Sequence, residues 1–324
     1  MLQYIVRRLI QFIPVFFGVT LLLFFITTIL PGDPVRLRTG EKAMDPAVYQ
    51  ELRHAYGFDK PWYEQYVNYL KNMAKGDLGT SIRNGRRVTK IFQETFPNTV
   101  KLALAAITLE IIFGIGAGII SALKQYSFWD VMVTLSTSIL VALPVFWLGM
   151  MLQYFFGILM KQWTNGAFYL PISGVSGGGF PDWAHLILPA ITLASVSTAY
   201  AARIMRSQLL EVKGQDYVRT AYAKGLSHRR VLWGHQMKNA LIPVVTYIGL
   251  DLAAMLSGAI LTETVFNWPG IGFTIYRAIG ARDYPVVFGG VTLVLFVVLF
   301  MNLFVDISYA FLDPRIRYTP AAQE

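Results

Sequence analysis

Long apolar runs alternate with shorter polar segments along the chain, and six of these runs are long enough to matter. Each supplies about 20 residues or more, the number that an α-helix needs to cross the roughly 30 Å hydrocarbon layer of a bilayer. The pattern therefore predicts an all-α membrane protein with six transmembrane helices. The predicted spans are Leu9–Leu30, Thr99–Leu123, Val131–Leu159, Ala184–Ala202, Leu241–Leu261 and Val286–Leu312.

These spans divide the chain into four parts. Residues 1–30 contain a short N-terminal segment and the first transmembrane helix, and residues 31–97 form a long polar segment. Residues 98–312 form a core of five transmembrane helices, interrupted by the polar loop 203–240, and residues 313–324 form a tail. The first span is too long for a signal peptide and lacks a small-residue cleavage site, so we expect it to be retained.

The distribution of Lys and Arg predicts the orientation. With the N-terminus inside, the cytoplasmic segments hold 13 Lys and Arg, whereas the two short outer loops hold three. This asymmetry satisfies the positive-inside rule, which does not apply to an outer segment as long as 31–97. Both termini are therefore expected in the cytoplasm. The cytoplasmic segments are 1–8, 123–130, 203–240 and 312–324, and the short outer loops are 156–185 and 263–285.

Composition agrees with this prediction and excludes several other classes of protein. Hydrophobic residues make up 55% of the 324 residues and charged residues only 15%, a balance typical of polytopic membrane proteins. Topology explains the net charge of +9, so nucleic acid is not an expected partner. The chain has no cysteine, and its four histidines have no metal-ligand spacing, so neither disulfides nor a metal site are expected.

No catalytic motif stands in a suitable context. Gly174–Gly178 matches the G-x-S-x-G nucleophile pattern, but glycine and proline surround it, where a nucleophile needs a strand before it and a helix after it. The chain also lacks the phosphate-binding loop G-x-x-x-x-G-K-S/T, so an ATP-driven step would need another polypeptide. We predict no catalytic residue and no cofactor in this chain.

The polar loop 203–240 is rich in charge and predicts two short helices. It contains eight Lys and Arg. The first helix is predicted over Gln215–Lys224, with Gly225 in the left-handed position that ends it. Ser227 is predicted to cap a second helix over His228–Asn239, and Pro243 to open the next span. The first helix would lie across the cytoplasmic face, tied to membrane helices at both ends.

Seven motifs follow one another in the order found in one family of transporters. They are Pro31–Pro34, Gly76–Ser81, Ala240–Thr246, Leu261–Phe266, Trp268–Gly272, Arg282–Val287 and Asp313–Arg317. On these residues the sequence resembles the permease subunits of ABC importers, in particular the dipeptide/oligopeptide/nickel group.

The polar loop carries a further part of the resemblance. Such permeases have a cytoplasmic motif Glu-Ala-Ala-x-x-x-Gly whose helix binds the ATPase. Here Arg219 and Thr220 replace the Glu and the first Ala, whereas Tyr217–Gly225 is similar to the peptide branch of the group. The resemblance implies that 203–240 is the coupling loop. The implied coupling residues are Asp216, Tyr217, Arg219, Thr220, Ala221, Ala223, Lys224 and Gly225.

The resemblance also implies an assembly. The expected fold is that of a type I ABC importer permease in a bacterial cytoplasmic membrane. The expected partners are a second homologous permease, two ATP-binding subunits that hold ATP and Mg, an extracytoplasmic solute-binding protein and a peptide substrate. We expect the binding protein to contact segments 31–97 and 263–285. Nickel or another small solute remains an alternative cargo, and a self-sufficient channel or secondary transporter is the alternative function.

Acidic residues inside the predicted spans require an explanation. Glu110 and Asp251 fall within the second and fifth spans, where an ionised carboxylate costs about 2.5–3.5 kcal/mol at mid-bilayer. They are therefore expected to face the protein interior or a wet cavity. One interpretation places them beside the translocation path, where they favour a peptide's amino terminus. The other is a hydrogen bond between helices.

Smaller patterns predict local features. Asp45 is expected to cap a helix that ends at Gly57. A second helix with an aromatic face is expected between Pro61 and Gly76, lying either on the lipid interface or against the protein. Gly114 and Gly118 predict close helix packing, and Pro144 predicts a kink in the third span.

Overall fold

A computed structural model describes residues 2–29, 45–55 and 59–312. Within these residues all the long elements are helices, and β-structure is limited to two isolated bridges. The expected all-α membrane fold is therefore confirmed. The motifs Pro31–Pro34 and Asp313–Arg317, together with the predicted tail, lie outside the described residues.

The described residues form twelve helices, numbered here in chain order. They are α1 Leu2–Ile29, α2 Pro46–Ala55, α3 Trp62–Ala74, α4 Val88–Leu123, α5 Phe128–Ala142, α6 Val145–Trp163, α7 Ala184–Lys213, α8 Asp216–Ala223, α9 His228–Leu256, α10 Ile260–Val265, α11 Ile271–Gly280 and α12 Tyr284–Leu312.

Five of these helices are long and apolar enough to cross a membrane, and the pair α5 and α6 forms a sixth span if the two are taken together. The pair is bent by 105° at its break, which is much more than the kink predicted at Pro144. Leu143 adopts an extended conformation, because the ring of the following proline disfavours helical geometry at that position. The third predicted span is therefore two helices.

Helix α7 lies at the centre of the bundle and contacts α4, α5, α6 and α9. Its contact surface consists largely of small buried residues, including Ala199, Ala201 and Ala202. A Cβ atom added at Gly118 of α4 would lie 2.6 Å from the carbonyl oxygen of Ala202, so only glycine fits. The prediction of close packing at Gly114 and Gly118 is confirmed.

Several helix boundaries differ from the hydropathy prediction. Helix α7 continues for eleven residues beyond the predicted end at Ala202, and α9 begins at His228 rather than at Leu241. Pro243 therefore lies inside α9 and does not open it. The predicted end of the fifth span at Leu261 is also wrong, because the chain turns at Gly258, with φ +102°, and starts α10.

The outer segment packs against the membrane helices. Asp45 caps α2 as predicted, since its Oδ1 accepts the amide hydrogen of Ala47 at 2.9 Å, but the predicted stop at Gly57 lies outside the described residues. On α3, the Tyr66 hydroxyl lies 2.9 Å from Thr20 of α1, and the Tyr69 hydroxyl lies 3.0 Å from Thr292 of α12. Its aromatic face therefore packs against the protein.

Side-chain contacts agree with the predicted orientation. Asp130, at the predicted cytoplasmic end of α5, binds Arg206 at the predicted cytoplasmic end of α7. On the other side, Asp283 accepts hydrogen bonds from Ser81 and from the backbone of Ile82. Segments predicted on the same side of the membrane are thus joined to each other.

The contact of α4 with α7 predicts a matched pair of outcomes. Gly118→Val should lower the free energy of unfolding by about 1–3 kcal/mol, because the added atoms overlap the backbone of Ala202. Gly116→Val introduces the same side chain into the same helix at a site with no atom within 4 Å, and it should leave stability nearly unchanged. Thermal unfolding of the purified variants measures both. Equal loss at the two positions would contradict the packing account.

Candidate functional site

Helix α8 connects the cytoplasmic ends of α7 and α9. Its bounds, Asp216–Ala223, fall within the predicted range. Val218 and Ala221 are 1% and 6% exposed and belong to the same apolar core as Met205 and Val244 of the membrane helices. One face of α8 is therefore part of the core of the bundle, and the opposite face is free.

The end of α8 has the predicted glycine turn. Gly225 has φ +79°, which glycine adopts without steric cost. The amide of Leu226 donates to the carbonyl of Ala221 at 3.3 Å, and the amide of Gly225 donates to that of Tyr222 at 2.9 Å. These two bonds define a Schellman motif, which turns the chain from α8 into α9.

Two tyrosines attach α8 to the cytoplasmic part of α9. The Tyr217 hydroxyl accepts a hydrogen bond from Nδ2 of Asn239 at 2.7 Å. The Tyr222 hydroxyl lies 2.6 Å from Nδ1 of His228, and the two rings are stacked. Together with the buried face, these contacts hold α8 in a fixed position relative to the membrane helices.

The structure separates the predicted coupling residues into two groups. Ala221 faces the apolar core, so its side chain is not available to a partner. The other seven are exposed. Arg219 and Asp216 form an ion pair at 3.4 Å, and because both side chains are largely exposed, the pair contributes little to stability. The exposed residues are Asp216, Tyr217, Arg219, Thr220, Ala223, Lys224 and Gly225.

The predicted second helix of the loop is wrong in two respects. Ser227 precedes α9, but its side chain makes no capping hydrogen bond. The segment His228–Asn239 is not a separate helix, since α9 runs from it into the membrane through a π-helical turn at Leu232–Gln236. Val231 and Leu232 are buried in the core, and this burial keeps the cytoplasmic end of α9 helical.

A salt bridge next to this loop was not predicted from the sequence. Asp130 is 4% exposed, and its two oxygens accept hydrogen bonds from Nε and Nη2 of Arg206, each at 2.8 Å. Ser121 and the amide of Tyr126 donate to the same carboxylate. The pair joins α5 to α7 where α7 leaves the membrane. The only signal in the sequence was the presence of opposite charges on two segments expected on the same side.

The structure brings Glu110 and Asp251 together. Glu110 is fully buried on α4, at the first position of a π-helical turn. Helix α9 packs against this turn of α4, and its Asp251 side chain interacts with the carboxyl group of Glu110. Within the described part of the chain, no residue donates a hydrogen bond to either carboxyl oxygen of Glu110.

Two family models match the chain. Residues 114–318 match the model described as "Binding-protein-dependent transport system inner membrane component", and residues 1–103 match the model of the corresponding N-terminal region. The chain belongs to this family. It is therefore a multi-pass inner-membrane component of a transport system, and membership implies partnership with other components of such a system.

Curated relatives match this family member along nearly its whole length. It is 44% identical to the di/tripeptide transport system permease protein DppB of Pseudomonas aeruginosa, which it covers to 99%, with 98% of this chain aligned. It is 40% identical to the dipeptide transport system permease protein DppB of Escherichia coli K12, with 98% and 99% coverage. The oligopeptide transport system permease protein AppB of Bacillus subtilis is 38% identical, with 98% and 100% coverage.

Solved structures support the fold. The MetNI methionine ABC transporter in an inward-facing conformation matches with a TM-score of 0.52 at 15% identity, over 69% of this chain and 96% of that chain. An amino acid ABC transporter matches with a TM-score of 0.51 at 15% identity, over 69% and 94%. The expected type I importer permease fold is thereby confirmed.

The salt bridge predicts a non-additive double mutant. Arg206→Met leaves the charge of Asp130 buried without its partner and should cost about 1–3 kcal/mol of stability. Combining it with Asp130→Leu removes both charges and should recover most of that loss. Thermal unfolding of the two single variants and the double variant forms the cycle. Additive losses would mean that the two side chains act independently.

Proposed function

We propose that this permease imports di- and oligopeptides, forms half of the translocation path, and is driven by ATP hydrolysis on separate subunits. The proposed coupling to the ATPase rests on the two faces of α8. One face is exposed, and the other is buried in the apolar core of the membrane helices. The three curated relatives described above are peptide transport permeases at 38–44% identity, and this likeness supports peptides as the cargo.

Coupling follows from the attachments of α8. An ATP-binding subunit that contacts the exposed face of α8 pushes on a helix that is held in place. Val218 and Ala221 are buried in the core, and Tyr217 and Tyr222 are hydrogen-bonded to α9. The displacement therefore passes to the cytoplasmic ends of α7 and α9. When ATP binding closes the ATPase dimer, the α8 helices of two permeases approach each other, and the path switches between its outward and inward openings.

The remaining partners have distinct places in this proposal. A second homologous permease completes the path, and two ATP-binding subunits carry ATP and Mg, so this chain itself is not catalytic. An extracytoplasmic solute-binding protein contacts segments 31–97 and 263–285. The described parts of these two segments are joined by Asp283 and by Arg83, whose Nε donates to the carbonyl of Ala281 at 2.8 Å, so they present one continuous surface to the binding protein.

Two alternatives remain, and each has a direct test. Nickel or another small solute would change the cargo but not the coupling, and uptake assays with labelled dipeptides and nickel distinguish them. A self-sufficient channel or secondary transporter would work without an ATPase. Co-purification from the native membrane decides this question, since an importer subunit retains an ATP-binding partner and a channel does not.

The turn after α8 gives a first prediction for coupling. Gly225→Pro should abolish peptide uptake, because proline cannot adopt the φ of +79° found there. The subunit should still insert, since no membrane helix is altered. Gly214→Ala is the matched control in the same loop, because Gly214 has ordinary helical geometry and its added Cβ meets nothing closer than 3.5 Å. Normal uptake by Gly225→Pro would refute the coupling role of the turn.

Two exposed basic residues, Arg219 on α8 and Lys224 directly after it, give a second prediction. The double variant Arg219→Glu/Lys224→Glu should weaken binding of the ATP-binding subunit by at least tenfold, because an acidic partner surface that matches these cations would then meet like charges, which cost several kcal/mol at an interface. Lys71→Glu makes the same kind of change on α3, on the opposite side of the membrane, and should leave binding intact. Co-purification of the ATPase measures both. Equal retention in all variants would place the interface elsewhere.

A further inference from the structure

The buried acid Glu110 lacks the hydrogen bonds that such a group normally requires. It is 0% exposed, and among the residues that the structure describes none provides a geometric hydrogen bond to its Oε1 or Oε2, or to Oδ2 of Asp251. Buried polar atoms in proteins are almost always hydrogen-bonded, and each exception calls for a physical cause. Two carboxylates in contact cannot satisfy each other, because an ionised carboxylate only accepts.

Tyr247 on α9 lies beside the pair and interacts with both carboxyl groups. It also contacts Ser197 and Tyr200 on α7, and the rings of Tyr200 and Tyr247 lie 6.3 Å apart. Two ionised carboxylates in contact repel each other, and their burial in a membrane core adds a desolvation cost. The charge of at least one of them must therefore be neutralised, either by a proton or by a bound cation.

We propose that Glu110 and Asp251 form a proton-binding site in which one proton, taken from water, is held between the two carboxyl groups and ties α4 to α9. The protonated acid donates a hydrogen bond to the ionised one, so the contact becomes attractive and the net charge of the pair falls to minus one. Two carboxyl groups that share a site behave in this way, because both cannot ionise together.

Packing favours a proton over a larger cation. The α-helix of α4 widens into a π-helical turn at Glu110, and on the same turn Gly114 is so close to α7 that an added Cβ would lie 2.9 Å from that of Ala201. A metal ion such as Ca²⁺ needs about six oxygen ligands, and the residues that the structure describes contain no cluster of three or more Asp, Glu, His or Cys side chains that could hold one. The ammonium group of a peptide would need a path to Glu110, which has no exposed surface.

Infrared spectroscopy tests the site directly. The full-length protein, reconstituted in phospholipid vesicles, should show the C=O stretching band of a protonated carboxylic acid at neutral pH, and the band should decrease reversibly as the pH rises. Glu110→Gln and Asp251→Asn should each abolish the band, because the remaining carboxylate then accepts a hydrogen bond from an amide. Glu94→Gln is the control, since Glu94 is exposed and paired with Arg86, and it should leave the band in place.

The other outcomes overturn the proposal. A band that persists in both single variants would assign the proton to another group. Absence of the band in the parent protein, or a response to added sodium but not to pH, would indicate a bound metal ion. A tenfold increase in KM for free dipeptides, but not for N-acetylated ones, in Glu110→Gln would place the pair on the translocation path. Because the infrared measurement needs no transported solute, its result does not depend on the proposed function.

Discussion

The close approach of α4 to α7 is the constraint on which the other features depend. Because Gly114 and Gly118 have no side chains, the backbone of α7 lies directly against α4. In a bilayer, lipid chains are as apolar as the helices, so van der Waals packing of this kind supplies much of the association energy. Helix α7 also contacts α5, α6 and α9, and its position therefore determines where the polar loop starts and which residues face Glu110.

Features with local causes could be predicted from the sequence. The glycine turn at Gly225, the cap at Asp45 and the presence of a bend at Pro144, though not its size, each depend on the conformational preferences of one or two residues. The positions at which helices end outside the membrane could not be predicted in the same way. Hydropathy reports where lipid contact ends, whereas backbone hydrogen bonds continue into water as long as side chains such as Val231 and Leu232 remain buried. This is why α7 and α9 extend beyond their predicted limits.

Pairings between distant segments could not be predicted. The sequence identifies Glu110 and Asp251 as acids inside predicted spans, but it gives neither their partners nor the partner of Asp130. Asp130 meets a cation, Arg206, and forms an ordinary buried ion pair. Glu110 meets a second acid instead. One acidic side chain thus meets a cation and another meets a second acid, and the packing of the helices determines which environment each acid receives.

The hydrogen bond from Ser81 to Asp283 has a consequence for biosynthesis. The two residues are separated by 202 positions, so the turn around Ser81 is synthesised and exported long before its carboxylate partner exists. Until α12 begins to form, the hydroxyl of Ser81 and the amide of Ile82 have only water as a partner for these bonds. Native structure in this outer region therefore depends on insertion of the last membrane helix, and a chain truncated before Asp283 would leave it incompletely folded.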